Sequence, residues 1–265
     1  MPVIQCNGAD LYYEDEGTGV PIVFLHGAWA GIRFFDAQLG TLSERYRTVA
    51  FDFSGHRRSE KTESGHTVGH YARDVEDVLD QLVEDEVVLV GWSLGALVAW
   101  EYVDRFGTDR LRGVVNVDME AAPGPTAGGS ETYDLERFRD IHRRIQTDHL
   151  AFIMDTAERS FKDPPSEEVR TLILDEDARS PPWVKSAIVT DATLCDFREV
   201  LPQVDVPMLV CAGADEKWRS VPVVEHTAEL VPEARFELFE ESGHFLTVEE
   251  PDKFNRVVGD FVETL

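Results

Sequence analysis

The sequence has few cysteines and no long apolar run. Its three cysteines, Cys6, Cys195 and Cys211, are far apart in the chain, a spacing that fits neither a disulfide framework nor a zinc site. We interpret Cys211, which lies within an apolar run, as an ordinary buried thiol. No apolar stretch reaches the roughly 18 residues of a membrane-spanning helix, and the N-terminus lacks a basic segment followed by an apolar one. These absences predict a soluble, cytoplasmic protein with no membrane partner.

Positive charge is scarce as well. There are 51 acidic residues against 25 basic ones, only five of the basic residues are lysines, and the formal net charge is −26. The acidic residues are spread along the chain, so we expect them on the surface of the folded protein rather than in a disordered tail. Such a surface repels nucleic acid and anionic membranes, and we expect neither as a partner. Low lysine with abundant Asp and Glu resembles proteins of halophiles that accumulate salt, an interpretation that we prefer to an acidic mesophilic protein.

Apolar runs and helical patterns alternate along most of the 265 residues. Short runs such as Pro21–Leu25 and Val87–Val90 are typical of strands buried on both faces, and segments such as Val68–Val83 have the period of a helix that packs on a sheet. This alternation predicts an α/β fold, in which a mostly parallel central sheet carries helices on both faces. A chain of this length is near the upper size for one hydrophobic core, so we expect one domain with an insertion.

The alternation stops after Asp118. Residues 121–129 have the composition of a flexible linker, residues 130–197 show helical patterns and no strand, and Val206–Ala212 returns to strand character. We therefore predict a core formed by residues 1–120 and 204–265, with residues 121–203 inserted as a helical cap of about four helices. Ligands of such sheets bind beyond the carboxyl ends of the strands, which the cap would cover.

The clearest chemical signal is the G-x-S-x-G sequence at Gly91–Gly95, between the strand-like run and an apolar helical pattern. A sharp strand-to-helix turn lifts the serine hydroxyl clear of the sheet, and the glycines let strand and helix close on each other. Ser93 is therefore the candidate nucleophile. The N–H of Leu94, which opens the helix, is a candidate donor to an oxyanion.

A serine hydroxyl needs a base within hydrogen-bond reach and a carboxylate that orients the base. His244 directly follows the last predicted strand, Arg235–Phe239, and should emerge at the same sheet edge as Ser93. We predict that His244 is the base. His66 and His70 are four residues apart and could bind a metal, but no third ligand is evident, so we predict no metal site.

Several carboxylates are candidates for the orienting acid. Asp215 and Glu216 lie in the loop after the strand Val206–Ala212, and Asp118 ends the preceding strand with Glu120 close behind. All of them stand at the same sheet edge and satisfy the chain order serine, acid, histidine. The pattern of residues leaves the choice among them open.

The motifs together resemble those of the α/β-hydrolase superfamily, over nearly the whole chain outside the cap. The resemblance rests on His26-Gly27, Asp52-x-x-Gly55-His56-x-x-Ser59, Gly91–Gly95 and Gly243-His244-Phe245. It implies that His26 and His56 bond loops together. It also implies that the N–H of Ala28 is the second oxyanion donor.

The same resemblance bears on the acid. In similar enzymes the acid usually stands three residues after the glycine that closes the later strand, which is Glu216 here, although aspartate is the usual residue. Similar enzymes with glutamate there include lactonases that open N-acyl-homoserine lactones, whereas other relatives take the acid from the position of Asp118. We predict Glu216, ahead of Asp118 and Asp215. The family loop usually carries glycine where this chain has Arg57.

These residues predict a cofactor-free serine hydrolase that cleaves a small to medium carboxylic ester or lactone through an acyl-enzyme. Trp29 and Trp92 flank the site and would suit an apolar acyl or alkyl group, and Trp183 in the cap is either a further binding residue or core. Alternatives of the same fold are a C–C bond hydrolase, a cofactor-free haloperoxidase or perhydrolase, and a ligand-binding receptor with slow turnover. The oligomeric state has no signal in the sequence.

The acidic surface predicts that folding depends on salt. At about 1 M salt the screening length falls to about 3 Å, which removes most of the self-repulsion between surface carboxylates. We expect full folding and activity in molar KCl and a melting temperature that rises with KCl concentration, measured by circular dichroism. An equal melting temperature in dilute buffer and in molar KCl would contradict the halophilic interpretation.

Overall fold

A computed structural model describes residues 2–124 and 134–265. Most of the linker predicted at 121–129, and the beginning of the helical pattern from 130, lie outside the described residues. Eight strands are present: β1 Val3–Cys6, β2 Ala9–Gly17, β3 Pro21–Leu25, β4 Arg47–Phe51, β5 Val87–Trp92, β6 Leu111–Val117, β7 Met208–Gly213 and β8 Ala234–Phe239. They form one sheet in the order β1-β2-β4-β3-β5-β6-β7-β8. All neighbours from β4 to β8 pair in parallel, so the predicted mostly parallel sheet is confirmed.

Helices cover both faces of this sheet. Their bounds are α1 Asp36–Leu42, α2 Val68–Leu82, α3 Leu94–Phe106, α4 Leu135–Thr147, α5 His149–Ser160, α6 Glu167–Asp177, α7 Pro182–Leu194, α8 Val221–Glu229, α9 Leu246–Glu249 and α10 Pro251–Val262, with short 3₁₀ helices at Ile32–Phe35 and Leu201–Gln203. No helix of the described residues is long and apolar enough to cross a membrane.

The central strands have the apolar character that two covered faces require. In β3, Val23 and Leu25 pack with α2 and α3, while Ile22 and Phe24 pack on the opposite face with α1 and α10. Successive side chains of a strand point to opposite faces, so an unbroken apolar run buries both. The hydrophobic core is therefore two layers separated by the sheet.

The edge of the sheet and the segment after β3 depart from the regular alternation. The first hairpin turns at Asn7 and Gly8, both with positive φ. Strand β2 then continues to Gly17, because its second half pairs antiparallel with β4. The segment after β3 starts as a 3₁₀ turn at Ile32–Phe35 and continues as α1, which ends at Leu42.

The four helices α4–α7 lie between β6 and β7, and we refer to them as the cap. One buried ion pair joins the cap to the core. Arg57, in the loop after β4, has φ of 36°, which is the left-handed region that favours glycine and explains the glycine usual in similar enzymes. Its guanidinium contacts the carboxylate of Glu176 in α6, and the two side chains are 6% and 0% exposed. The strained arginine is therefore held by a charge partner in the cap.

We expect Arg57→Met to lower the free energy of unfolding by about 3 kcal/mol, because it leaves the buried Glu176 carboxylate with only the half-exposed Arg33, whose Nη1 lies 3.7 Å away. Burial raises the pKa of Glu176 to about 7 although Arg57 acts to lower it. Urea unfolding at pH 8 in molar KCl therefore starts from an ionised pair in the wild type and measures its loss, whether the carboxylate of the variant stays ionised or takes up a proton. Adding Glu176→Gln should recover part of the loss. Arg143→Met is the control, because Arg143 pairs with Asp140 at 65% exposure. A loss in Arg57→Met no larger than in this control would contradict the prediction.

Candidate active site

Ser93 stands at the predicted strand-turn-helix junction, between β5 and α3. Its backbone is left-handed, with φ of 54° and ψ of −114°, a conformation that costs a non-glycine residue about 1–3 kcal/mol. The neighbouring glycines make the turn possible: a Cβ on Gly91 would meet the backbone of Gly95, and one on Gly95 would meet the backbone of Leu25. Close packing of strand on helix thus holds the serine in its strained position.

His244 lies in the loop between β8 and α9, and several contacts fix this loop. The N–H of His244 donates to the Ser160 carbonyl at 2.6 Å, and the Trp92 indole donates to the His244 carbonyl at 2.9 Å. On the far side the Glu249 carboxylate accepts the N–H groups of Gly243 and Phe245, at 2.9 and 3.2 Å. The imidazole is therefore held at the carboxyl edge of the sheet.

Two carboxylates meet the same ring nitrogen of His244. Oδ2 of Asp118 lies 2.7 Å from Nδ1, and Oε2 of Glu216 lies 2.8 Å from it. Asp118 follows β6 with a left-handed φ of 56°, and Glu216 lies in the loop after β7. Asp215 instead pairs with Lys217 at 3.0 Å, with its side chain 41% exposed. Two of the sequence candidates for the acid thus reach His244.

Burial and charge shift the pKa values of Asp118 and Glu216 in opposite directions. Burial, and then the charge of Glu216, raise the pKa of Asp118 to about 7. Burial also acts to raise the pKa of Glu216, but the adjacent His244 outweighs it and holds that pKa well below its usual range. For His244, burial lowers the pKa, whereas Glu216 foremost and Asp118 raise it, to about 9. We therefore expect Glu216 to be the ionised partner of His244 and Asp118 to take up a proton more readily than Glu216.

Sequence reasoning missed Arg219, and it treated Glu120 only as a further acid. The Arg219 side chain is 4% exposed and its Nε lies 3.4 Å from Oε1 of the fully buried Glu120. Its Nη1 donates to the Asp118 carbonyl at 3.0 Å. The one signal in the sequence is its position three residues after Glu216, at the end of the same loop.

The donor atoms of Asp118, Glu216 and His244 lie within 4.8 Å of one another, close enough to ligate a metal ion. The Arg219 guanidinium, however, lies 3.3 Å from Nδ1 of His244 and 3.6 Å from Oε2 of Glu216. A protein cation therefore already occupies the position beside these donors. His66 hydrogen-bonds Tyr71 and the Thr62 carbonyl instead of pairing with His70.

A cavity of about 750 Å³ between the sheet edge and the cap contains both Ser93 and His244 in its lining. Ala28 and Leu94 line it beside Ser93, and within residues 2–124 and 134–265 neither backbone N–H donates to another protein group. Both groups are thus available to a ligand. His26 and His56 accept the N–H groups of Phe53 and Trp29, respectively, so they do connect loops.

The three tryptophans considered from the sequence have different surroundings. Trp29 and Trp92 both line the cavity, but Trp92 is only 3% exposed and packs on Phe34 and Phe245. Trp183 is 53% exposed and lies outside the cavity lining. Neither alternative for Trp183 is therefore correct, because it points to the surface of the cap.

Comparison with known proteins decides the family. The sequence profile described as the alpha/beta hydrolase family matches residues 22–257. The chain belongs to the alpha/beta hydrolase family. This alpha/beta hydrolase is 28% identical, over 99% of both chains, to the non-heme chloroperoxidase CPO-A1 of Kitasatospora aureofaciens. It is 26% identical to the bifunctional esterase/perhydrolase DCH of Acinetobacter calcoaceticus, over 97% of this chain and 98% of that one.

A solved structure extends the similarity to three dimensions. An esterase from Exiguobacterium antarcticum is 25% identical to this alpha/beta hydrolase and superposes with a TM-score of 0.91, over 98% of both chains. The predicted fold class is thereby confirmed along almost the whole length, cap included.

The proton distribution in this alpha/beta hydrolase can be tested on the free protein. We expect NMR titration of ¹³C-labelled histidine rings to show His244 with a pKa above its ordinary value, its signal assigned by its loss in His244→Asn. Glu216→Gln should lower this pKa by about 1 unit or more, and Asp118→Asn by less, because Glu216 carries the charge. Glu241→Gln is the control, since that exposed side chain pairs with Lys162. An equal shift in the control would contradict the assignment.

Proposed function

We propose that this protein is a serine hydrolase that cleaves a small to medium carboxylic ester or lactone through an acyl-enzyme intermediate. The observation that carries the proposal is the engagement of His244 Nδ1 by two buried carboxylates, 2.7 and 2.8 Å away, beside a serine on a left-handed turn in the same cavity. Because Nδ1 is engaged, Nε2 is the ring nitrogen that remains to act as the base.

In the proposed reaction, Ser93 Oγ forms a bond to the substrate carbonyl carbon while its proton passes to His244 Nε2. The N–H groups of Ala28 and Leu94 stabilise the oxyanion. The C–O bond to the leaving alcohol breaks, and His244 returns the proton to that oxygen. Water then loses a proton to His244 and attacks the acyl carbon. The bond between the acyl carbon and Ser93 Oγ breaks, His244 returns the proton to Oγ, and the acid leaves.

We propose Glu216 as the acid that orients His244, since its depressed pKa keeps it ionised throughout the neutral range. Asp118 accepts from the same nitrogen, with its Oδ2 2.7 Å from Nδ1. Since only neutral His244 can accept the proton of Ser93, its raised pKa makes kcat/KM increase from neutral toward alkaline pH.

The cavity favours a substrate with an apolar group of moderate size. Much of the wall around Ser93 is apolar, with contributions from Trp29, Leu97, Phe152, Ile153, Ile188 and Val189. The rings of Trp29 and Phe152 lie 5.6 Å apart next to the proposed oxyanion donor Ala28. An acyl or alkyl chain in this position would be removed from water while the carbonyl remains at Ser93.

A second candidate function is perhydrolysis, which the names of the two curated relatives favour. Hydrogen peroxide would replace water in the second step, so that its oxygen attacks the acyl-enzyme and a peroxy acid leaves. The peroxy acid would then oxidise halide in solution. This chemistry uses the same Ser93 and His244 and requires no metal or redox cofactor.

We expect turnover of some member of a p-nitrophenyl ester series or a lactone series in molar KCl, and a loss of at least about a thousandfold in kcat for Ser93→Ala. Ser43→Ala, at a half-buried serine outside the cavity lining, is a matched control that should retain activity. Added hydrogen peroxide and bromide, with bromination of a reporter as readout, tests the second function on the same variants. A folded wild type without turnover of any ester or lactone would refute the first proposal.

A further inference from the structure

A buried arginine, Arg219, lies beside the groups of the proposed reaction. Arg219 is the last residue but one before α8, and its side chain is 4% exposed. Its guanidinium lies between the loop after β6 and the loop that carries Glu216. It touches no atom that the proposed reaction transforms, yet it contacts groups that hold His244.

We propose that Arg219 is a positioning residue of the active site, which fixes Asp118 and Glu216 on His244 and opposes a proton on its ring. The inference rests on the serine hydrolase function proposed above. It assigns to Arg219 a role that the nucleophile, base and acid alone do not supply.

The contacts of Arg219 support its role in fixing Asp118 and Glu216 on His244. Nη1 of Arg219 donates to the Asp118 carbonyl at 3.0 Å and lies 3.6 Å from Oε2 of Glu216. Asp118 has an unfavourable left-handed backbone, which persists only where its surroundings fix it. The backbone N–H of Asp118 is held by the Cys211 carbonyl at 2.8 Å. Arg219 therefore secures the other side of the same residue.

The charge of Arg219 supports its role in opposing a proton on the His244 ring. Among residues 2–124 and 134–265, the charged or titratable groups that face His244 are Asp118 after β6, Glu216 and Arg219 from the loop after β7, and Glu249 from α9. Arg219 is the cation in this set, with Nη1 only 3.3 Å from Nδ1. A positive charge this close to the ring disfavours the doubly protonated, positively charged form of the imidazole.

The guanidinium shape matters because its donors point in several directions. Nε of Arg219 faces Glu120 at 3.4 Å, while Nη1 faces Asp118, Glu216 and His244. Beyond this set, Arg137 of α4 lies over the ring of the adjacent Trp218, at 4.4 Å. A lysine ammonium is a single point charge and cannot serve Glu120 and the Asp118 carbonyl together.

The test is the pH profile of kcat/KM for an uncharged ester in molar KCl. The rate of hydrolysis is recorded by titrating the acid that the reaction releases. Arg219→Gln should move the acid limb of the profile to higher pH by about 1 to 2 units, with activity recovered at alkaline pH. Arg219→Lys, which retains the charge, should leave the limb close to that of the wild type and lower the plateau. Lys217→Gln removes a cation from the same loop, one that pairs with the exposed Asp215, and should leave the limb unchanged.

Glu120 provides a second variant in case Arg219→Gln unfolds. Arg219→Gln/Glu120→Gln removes one buried charge of each sign, so it should fold and still show the alkaline shift. The proposal would be overturned if a folded Arg219→Gln or Arg219→Gln/Glu120→Gln variant had its kcat/KM lowered by the same factor at every pH, with no movement of the acid limb.

The outcome for Arg219 can be separated from that for the proposed function. If the wild type turns over no ester, NMR titration of His244 in the same variants measures the shift without substrate. The positioning role would be supported if the His244 pKa were higher in Arg219→Gln than in the wild type and the same in Lys217→Gln as in the wild type. No difference between the two variants would overturn it.

Discussion

The meeting of His244 with two carboxylates depends on the order of the sheet. Strands β5, β6, β7 and β8 are consecutive neighbours, and their carboxyl ends carry Ser93, Asp118, Glu216 and His244 in turn. Residues up to 151 positions apart in the chain therefore share one edge. Parallel pairing requires a crossover after each strand, and the longest crossover, between β6 and β7, contains the cap that closes the cavity above these residues.

This arrangement places more negative charge beside His244 than one histidine can balance. Asp118 and Glu120 are fully buried, and the Glu216 side chain is 1% exposed. Burying carboxylates is unfavourable unless protons, hydrogen bonds or cations compensate them. The hydrogen bond from His244 and the guanidinium of Arg219 are two such compensations, and both belong to the loops that the sheet brings together.

The sheet, the nucleophile turn and the histidine loop could be predicted because each depends on local sequence. Apolar runs specify buried strands. Gly91 and Gly95 specify the turn, because a side chain at either position would collide with neighbouring backbone. The residue pattern left the orienting acid open, since side-chain direction depends on backbone angles that residue types do not reveal, and only the family resemblance favoured Glu216. The left-handed φ of Asp118 and the extra methylene of Glu216 bring both carboxylates to the same nitrogen. Arg219 was missed because an arginine in an acidic chain resembles a surface ion-pair partner until its burial is known.

The two buried arginines suit a chain that has few cations and many carboxylates. Arg57 and Arg219 are 6% and 4% exposed in their side chains, whereas Arg143 is 65% exposed. Salt at about 1 M screens exposed pairs strongly and buried pairs much less, so the pairs with Glu176 and Glu120 persist where the pair with Asp140 weakens. Arginine also stays charged in a buried position, where lysine readily loses its proton. The scarce positive charge is therefore most effective at the cap junction and beside His244, where neither solvent nor salt can replace it.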